Sequence, residues 1–407
     1  MRFEHHTLDE SPPCGRLFIC HPTDLTGDGY PDLITGGMGA EDLPVLGDRH
    51  LPVLGRLFRR LERNLFWYEN PGAGRHDGTS AWTRHTISPA SDLHALGSAL
   101  GDVNGNGRLD LLVGQGYGAS DIYWFEQPPD PRREWTRHLI ADDFSKYHDL
   151  AFGDVDNDGT PEVVGLSQES QTIFYYDVPN DPYRSPWPSE QLTVVDDGVD
   201  IEGIEIVDVD GDGNNELIAG TSIYRLLEAT AEHERSASRP LEVDGGEDSG
   251  LATGWSREHV VTGWDWTRVA VGDLDDDGDL EIVFAEGDSP TYGEHMGRVG
   301  WFDPPDWEPH IISDNLYCPH TVQIADFDGT GAPDIYVAEM GLGENDESAQ
   351  HICFRNQGGG EFREEIVETG IPTHEAKAAD VTGNGRPDII GKSFEPNAHV
   401  DVWYNRP

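Results

Sequence analysis

The sequence predicts an all-β protein: one seven-bladed β-propeller over residues 1–407, with four antiparallel strands to a blade. Three observations predict it. An acidic loop recurs seven times, four short strand-like runs surround each loop, and the two chain ends complete one another.

The loop opens on Asp, sets ligand-type side chains at alternate positions, turns on Gly and closes on an acid eight residues after the first. Its first copies read Asp24-Leu-Thr26-Gly-Asp28-Gly-Tyr-Pro-Asp32, Asp102-Val-Asn104-Gly-Asn106-Gly-Arg-Leu-Asp110 and Asp154-Val-Asp156-Asn-Asp158-Gly-Thr-Pro-Glu162. Two more follow, Asp208-Val-Asp210-Gly-Asp212-Gly-Asn-Asn-Glu216 and Asp273-Leu-Asp275-Asp-Asp277-Gly-Asp-Leu-Glu281. The last are Asp326-Phe-Asp328-Gly-Thr330-Gly-Ala-Pro-Asp334 and Asp380-Val-Thr382-Gly-Asn384-Gly-Arg-Pro-Asp388. Their starts lie 78, 52, 54, 65, 53 and 54 residues apart, the period of a propeller blade.

Around each loop the strands follow in order. Leu96-Gly-Ser-Ala-Leu100 precedes the second loop and Leu111-Leu-Val113 follows it. Next come the aromatic run Ile122-Tyr-Trp-Phe-Glu126 and a strand beginning Trp135-Thr-Arg-His-Leu-Ile140. At the termini, Phe3-Glu-His-His-Thr-Leu8 matches Trp82-Thr-Arg-His-Thr-Ile87, and Val400-Asp-Val-Trp-Tyr404 matches Asn64-Leu-Phe-Trp-Tyr68. The last blade should therefore be built from both chain ends, which removes two open sheet edges. Two inserts interrupt the repeat. Residues 38–63 in blade 1 contain Leu54–Glu62, which reads as a short helix, and an Arg56, Arg59, Arg60 and Arg63 cluster that is either a solvated face or, on the mouth side, a lid or subunit contact. Residues 229–253 in blade 4 read as a mobile loop.

Alternate oxygen ligands, a sharp Gly turn and a closing carboxylate suit a hard cation, calcium before magnesium. Blades 3, 4 and 5 carry carboxylates at all four side-chain positions. Neutral Asn or Thr in blades 2 and 7, and Thr330 in blade 6, should weaken binding there. The bland alternative is a set of metal-free Asx turns. The calcium role expected here is structural.

With 77 Asp and Glu against 27 Lys and Arg, the formal charge is −50. Only Lys146, Lys377 and Lys392 are lysines, a balance expected of a halophilic protein in a salt-rich cytosol. Nucleic acid is a poor candidate partner, because a chain this acidic offers no basic patch strong enough to neutralise phosphate. No apolar run approaches the roughly 20 residues of a membrane span. The start lacks the charged-then-apolar order of a signal peptide, which makes a cytoplasmic location the expectation and a mature secreted form the alternative. Cys14, Cys20, Cys318 and Cys353 are too scattered for a disulfide framework.

The loops resemble the FG-GAP (VCBS) repeats of integrin-type propellers over nearly the whole chain. The later segments Cys318-Pro-His-Thr-Val-Gln-Ile-Ala-Asp326 and Thr373-His-Glu-Ala-Lys-Ala-Ala-Asp380, with Ile390-Gly-Lys392, are similar to the propellers of aldos-2-ulose dehydratase and rhamnose–glucuronate lyases. That resemblance implies elimination across a carbon–oxygen bond of a sugar.

Each metal loop joins first and second strands, so starts of first strands face the opposite side of the disc. Six residues before each loop Asp stand Phe18, Leu96, His148, Glu202, Thr267, His320 and His374. Two residues earlier come Arg16, His94, Lys146, Asp200, Asp265, Cys318 and Pro372. Thirteen residues after the loop Asp lie Gly37, Gln115, Ser167, Thr221, Glu286, Glu339 and Ser393. Histidines, lysines and carboxylates should thus ring one channel mouth, although such a ring also suits a merely hydrated channel.

The chemistry expected is β-elimination, with His148 and His94 as base and acid in either order, and Tyr117, His320 and His374 as further catalytic candidates. Arg16, Lys146 and Lys392 would hold an acidic carbohydrate and Trp266 would stack on its ring, with Glu202, Glu286 and Glu339 also lining the site. Arg268 fits only with a bulge, and Lys377 has the wrong parity. His320, His374, Cys318 and Glu339 also suit a zinc-type ion. Two alternatives compete: a non-catalytic propeller binding glycan or protein, and a glycoside hydrolase using Glu202, Glu286 and Glu339.

The charge generates a first prediction. A −50 chain repels itself once screening lengthens beyond about 10 Å, so circular dichroism in dilute, calcium-free buffer should show loss of β-structure. Full retention would contradict the salt-adapted reading.

Overall fold

A computed structural model gives the architecture and describes residues 1–38, 64–76, 81–89, 93–227, 250–342, 345–394 and 398–406. The expected helix and arginine face of the 38–63 insert, and most of 229–253, lie outside the described residues.

Seven four-stranded antiparallel sheets stand in a ring, each with its innermost strand packed on that of the next blade. The innermost strands are Arg16–Thr23, Ala95–Gly101, Tyr147–Gly153, Ile204–Val207, Thr267–Gly272, Thr321–Ala325 and Glu375–Ala379. Blade 7 takes its outermost strand from the other end of the chain: Arg2–Asp9 pairs antiparallel with Val400–Arg406, with His5 opposite Trp403 and Thr7 opposite Asp401. Across that seam His5 Nε2 lies 2.9 Å from Asp401 and Arg406 Nε 2.8 Å from Glu4. Closure pairs Val400–Arg406 on both sides and leaves Arg2–Asp9 as the outer edge of the blade, so one sheet edge is removed where two were expected.

The core lies between blades. Ile19, Ile34 and Trp67 of blade 1 pack with Leu111, Val113 and Phe125 of blade 2, and the pattern recurs around the ring. The aromatic third strand and His-bearing fourth strand stack on one another, as in Trp67–His85 at 4.5 Å, Trp124–His138 at 4.3 Å and Trp301–His310 at 3.9 Å. All four cysteines are buried free thiols.

Loop geometry follows from the ligand spacing. Asp24 accepts hydrogen bonds from the backbone N–H groups of Gly27, Asp28 and Gly29, at 2.7, 3.1 and 2.8 Å. Gly29 has φ +87°, which a side chain would resist. The closing Asp32 is buried and accepts from Leu25 and Thr26 at 3.0 and 3.2 Å, and from Asn70 N–H at 2.8 Å.

One buried histidine ties blade 6 to blade 7. His351 accepts the Tyr336 hydroxyl at Nδ1 (2.5 Å), donates from Nε2 to the Ile371 carbonyl (2.8 Å) and packs on Trp403. Burial lowers its pKa from 6.5 to about 4. The unfolded chain takes up that proton at higher pH than the fold does, so the neutral ring's contribution is complete above pH 6.5. It is lost as pH falls toward 4. At roughly 1.4 kcal/mol per pKa unit, His351→Gln should melt lower at pH 7 yet lose less stability than wild type on acidification to pH 5. Equal acid sensitivity in thermal melts would contradict this.

Candidate functional site

The face opposite the acidic loops opens into a cavity of about 450 Å3, and beneath it the axial channel encloses about 330 Å3. Phe18, His148, His320 and His374 line both spaces and so form the neck between them.

Three of those neck residues are histidines, and their partners fix three different states. His148 places Nδ1 2.9 Å from Asp149 and Nε2 3.1 Å from Glu202. Burial disfavours its charge, but Glu202 and Asp149 outweigh burial and raise its pKa above the usual value, so both nitrogens donate. Asp149 also accepts Arg268 Nη2 at 3.2 Å and the Gly203 N–H at 3.1 Å. Against the pull of burial, Arg268 and His148 hold its carboxyl far below the ordinary range. His320 donates from Nδ1 to the His374 carbonyl at 2.9 Å, which leaves Nε2 as a lone pair 3.8 Å from Asp288. His374 accepts Lys392 at Nδ1 and therefore carries its proton on Nε2. Burial and nearby cations push both of these pKa values well below 6.5.

Around the neck stand Tyr117, Lys146, Trp266 and Tyr292, with Lys146 Nζ 5.3 Å above the Tyr117 ring and Trp266 6.4 Å from Tyr292. Tyr117, Lys146, Trp266 and Leu342 have φ of 50°, 56°, 45° and 57°, and all four line the cavity. Left-handed backbone in such residues is strained, and strain of this kind concentrates where side chains are held for a purpose.

The structure sorts the expected site residues. His148, His320, His374, Tyr117, Lys146, Glu202 and Trp266 meet in the cavity. His94 does not line it: its backbone N–H is held by Gln115 at 3.1 Å. Arg16 also stands outside the lining, 5.9 Å from the Phe394 ring. Lys392 is fully buried, turned to the Leu17 carbonyl at 2.9 Å and to His374, and burial lowers its pKa to about 8. Glu286 is clamped by Arg298, with two contacts of 2.7 Å. Glu339 accepts the backbone N–H groups of Tyr317 and Gln350, and Cys318 Sγ meets Thr291, so neither joins His320 and His374 as a zinc-type set. Residues at the ends of second strands anchor loops; they do not face the cavity.

Parity is the main correction. The channel is lined by residues five and three before the loop Asp: Asp149, Arg268 and Glu375, then His21, Glu205 and Lys377. Lys377 therefore faces the channel, 3.2 Å from Glu375, and Arg268 reaches it on a regular register without a bulge. The residues six before the loop arrive by other means. Register shifts at Phe18, at Leu96–Gly97 and at His148 turn consecutive residues toward the axis in blades 1 to 3, while His320 and His374 precede their strands.

Sequence columns also missed Asp288, Tyr292 and Gln168, which lie in connections on the mouth side with no repeat register. Atoms of Glu202, Asp288 and His320 lie within 4.8 Å of one another, and burial together with Glu202 raises the Asp288 carboxyl.

On the opposite face, the loop acids of blades 3 to 6 converge. One oxygen from each of Asp154, Asp156, Asp158 and Glu162 lies within 4.8 Å of the others, as do Asp208, Asp210 and Glu216, then Asp273, Asp275 and Glu281, then Asp326, Asp328 and Asp334. Buried oxygens of Asp154, Glu162 and Glu281 lack any hydrogen-bond partner, and burial lifts Glu162 to about 8 and Glu281 to about 7. Such a set of oxygen donors could hold a hard divalent cation. In blade 6 Arg355 already pairs with Asp328 and competes for that place.

No curated protein sequence matches the chain. Among solved structures, a chain of the Photorhabdus luminescens Tc holotoxin pore is similar over 100% of this chain but only 14% of its own length, at 14% identity and TM-score 0.39. A candidate 6-phosphogluconolactonase from Bacteroides fragilis is similar over 91% of this chain and 90% of its own, at 12% identity and TM-score 0.48. The model of the FG-GAP-like repeat matches residues 24–113, 102–165 and 326–391. With that repeat matched over more than half its length, the chain belongs to the FG-GAP-like repeat family.

Proposed function

We propose that the mouth is the active site of a sugar-directed carbon–oxygen lyase and that the acidic loops hold structural calcium. The observation that carries the reading is the His320 Nε2 lone pair, which sits 3.8 Å from the Asp288 carboxyl in a cavity of sugar size. A buried neutral imidazole accepts a proton, and a carboxyl raised by its surroundings donates one.

The step balances. His320 Nε2 takes the proton from the carbon beside a carbonyl, the carbon–carbon double bond forms, and the carbon–oxygen bond breaks. The leaving oxygen receives the Asp288 proton. The imidazolium then returns its proton across 3.8 Å to the Asp288 carboxylate, restoring both groups. Lys146 and the Tyr117 hydroxyl supply positive charge and a donor to the developing enolate. His148, bound by two carboxylates, holds Glu202 in place. The hydrolase alternative loses support because Glu286 and Glu339 are already engaged.

Calcium would bind through Asp154, Asp156, Asp158 and Glu162 and their counterparts in blades 4 and 5, offsetting clustered charge and pinning each turn. Chelation should lower the melting temperature, most at low salt, and Asp156→Ala should do likewise without abolishing turnover. Turnover lost on chelation with melting unchanged would place a metal at Glu202, Asp288 and His320 and overturn the acid–base roles.

Turnover itself is read as new ultraviolet absorbance from an unsaturated sugar across a panel of oligosaccharides and keto sugars. On a substrate so identified, His320→Ala and Asp288→Asn should each slow turnover about a hundredfold or more, with melting preserved. Wild-type rates in both variants would move the chemistry elsewhere.

A further inference from the structure

The lining of the mouth carries more negative than positive charge. Among the described lining residues, Glu169, Asp200 and Glu202 stand with the raised Asp288 carboxyl, against Lys146 and the doubly hydrogen-bonded His148. That balance does not suit an acidic sugar, and the formal charge of −50 adds to the repulsion of any anion.

Two acceptor atoms there have no partner. Glu202 Oε2 and Gln168 Oε1 are buried without a hydrogen bond, in residues only 3% and 9% exposed. Their other atoms join them, since Gln168 Nε2 donates to Glu202 Oε1 at 2.7 Å. That bond also fixes the amide, because the flipped form would set oxygen against oxygen. Two orphaned acceptors on side chains bonded to one another call for one group with several donors. The same cavity lining holds aromatic faces: Trp266 and Tyr292 stand 6.4 Å apart at 73°, forming a corner, and Tyr117 lies beneath Lys146. The protein's own Lys146 ammonium, 5.3 Å over Tyr117, already uses such a face as a cation seat.

We infer that the substrate carries a primary ammonium, as an amino sugar does, seated on Gln168 Oε1 and Glu202 Oε2 beside the Trp266–Tyr292 corner. Three N–H donors satisfy both acceptors, and the positive charge answers Glu169 and Asp200. A carboxylate placed there would face acceptors alone. The inference rests on the mouth being the substrate site, but its test does not need turnover.

Calorimetric titration of the full, calcium-loaded chain with glucosamine, glucose, glucuronate and zinc at one salt concentration decides the matter. Glucosamine should bind at least tenfold more tightly than glucose, and glucuronate should not bind. Gln168→Leu and Glu202→Gln should each reduce the preference toward parity, and the wild-type ranking alone decides if a variant fails to fold. Equal affinity for glucose, tighter binding of glucuronate, or zinc displacing the amine and losing its site in Glu202→Gln would overturn the inference. Amine binding without turnover of any sugar would sink the lyase reading and leave this one standing. Turnover of a uronate would do the reverse.

Discussion

The structure depends on the carboxylate that closes each acidic loop. Asp32, Asp110, Asp334 and Asp388 are fully buried, and each accepts backbone N–H groups from the start of its own loop. The second oxygen takes the backbone N–H of an amide residue at the end of the third strand: Asn70, Gln127, Asn356 or Asn405, at 2.7 to 2.9 Å. Each of those side chains then reaches the preceding blade, at the carbonyls of Val381, Leu25, Leu274 and Phe327. One buried acid thus joins loop, outer strand and neighbouring blade, including the seam between blades 7 and 1. Desolvation lifts these groups, Asp32 and Asp110 to about 7, so the link is strongest where donors or a cation offset the charge.

The same construction explains why the fold was legible. An acid that must contact both its own turn and the next strand cannot drift in sequence, so the ligand spacing repeats seven times and fixes the blade count. The third-strand aromatics and fourth-strand histidines repeat because they stack, and the match of both termini to blade 1 marks the closed ring. Counting back from the loop Asp located His148, Glu202, His320 and His374 correctly at the mouth.

The rest of the site was illegible for two physical reasons. A β-bulge is not announced by residue type, so the shift at His148 that brings both it and Asp149 to the axis hid the true channel parity and misplaced Lys377. Asp288, Tyr292 and Gln168 lie in mouth-side connections, where no ligand or pairing constraint enforces a period. The ends of second strands reach the mouth side but do not face the cavity. Glu286 and Glu339 are instead spent on an arginine and on backbone N–H groups, because buried acids at a strand end must satisfy the turn that follows.

Strand length separates the acidic loops from the mouth. In blade 3, Tyr147–Gly153 begins beside the mouth with His148 and Asp149 and ends one residue before Asp154 of the loop. At about 3.3 Å per residue the span is on the order of 20 Å, roughly twice the screening length at physiological salt. The loop charge therefore acts on the mouth chiefly through position. Pinning the turn holds the strand, and the strand sets where the bulge presents His148 to Glu202. The neck residues come from blades 1, 3, 6 and 7, while Glu202, Arg268 and Asp288 come from blades 4 and 5. A site assembled from that many blades keeps its distances only if the ring itself does not breathe. Rigidity of blade 7, tied within itself by Asp388, Asn405 and the His5–Asp401 pair and to blade 6 through the Phe327 carbonyl, is thus a condition for the His320–Asp288 geometry on the other side of the disc.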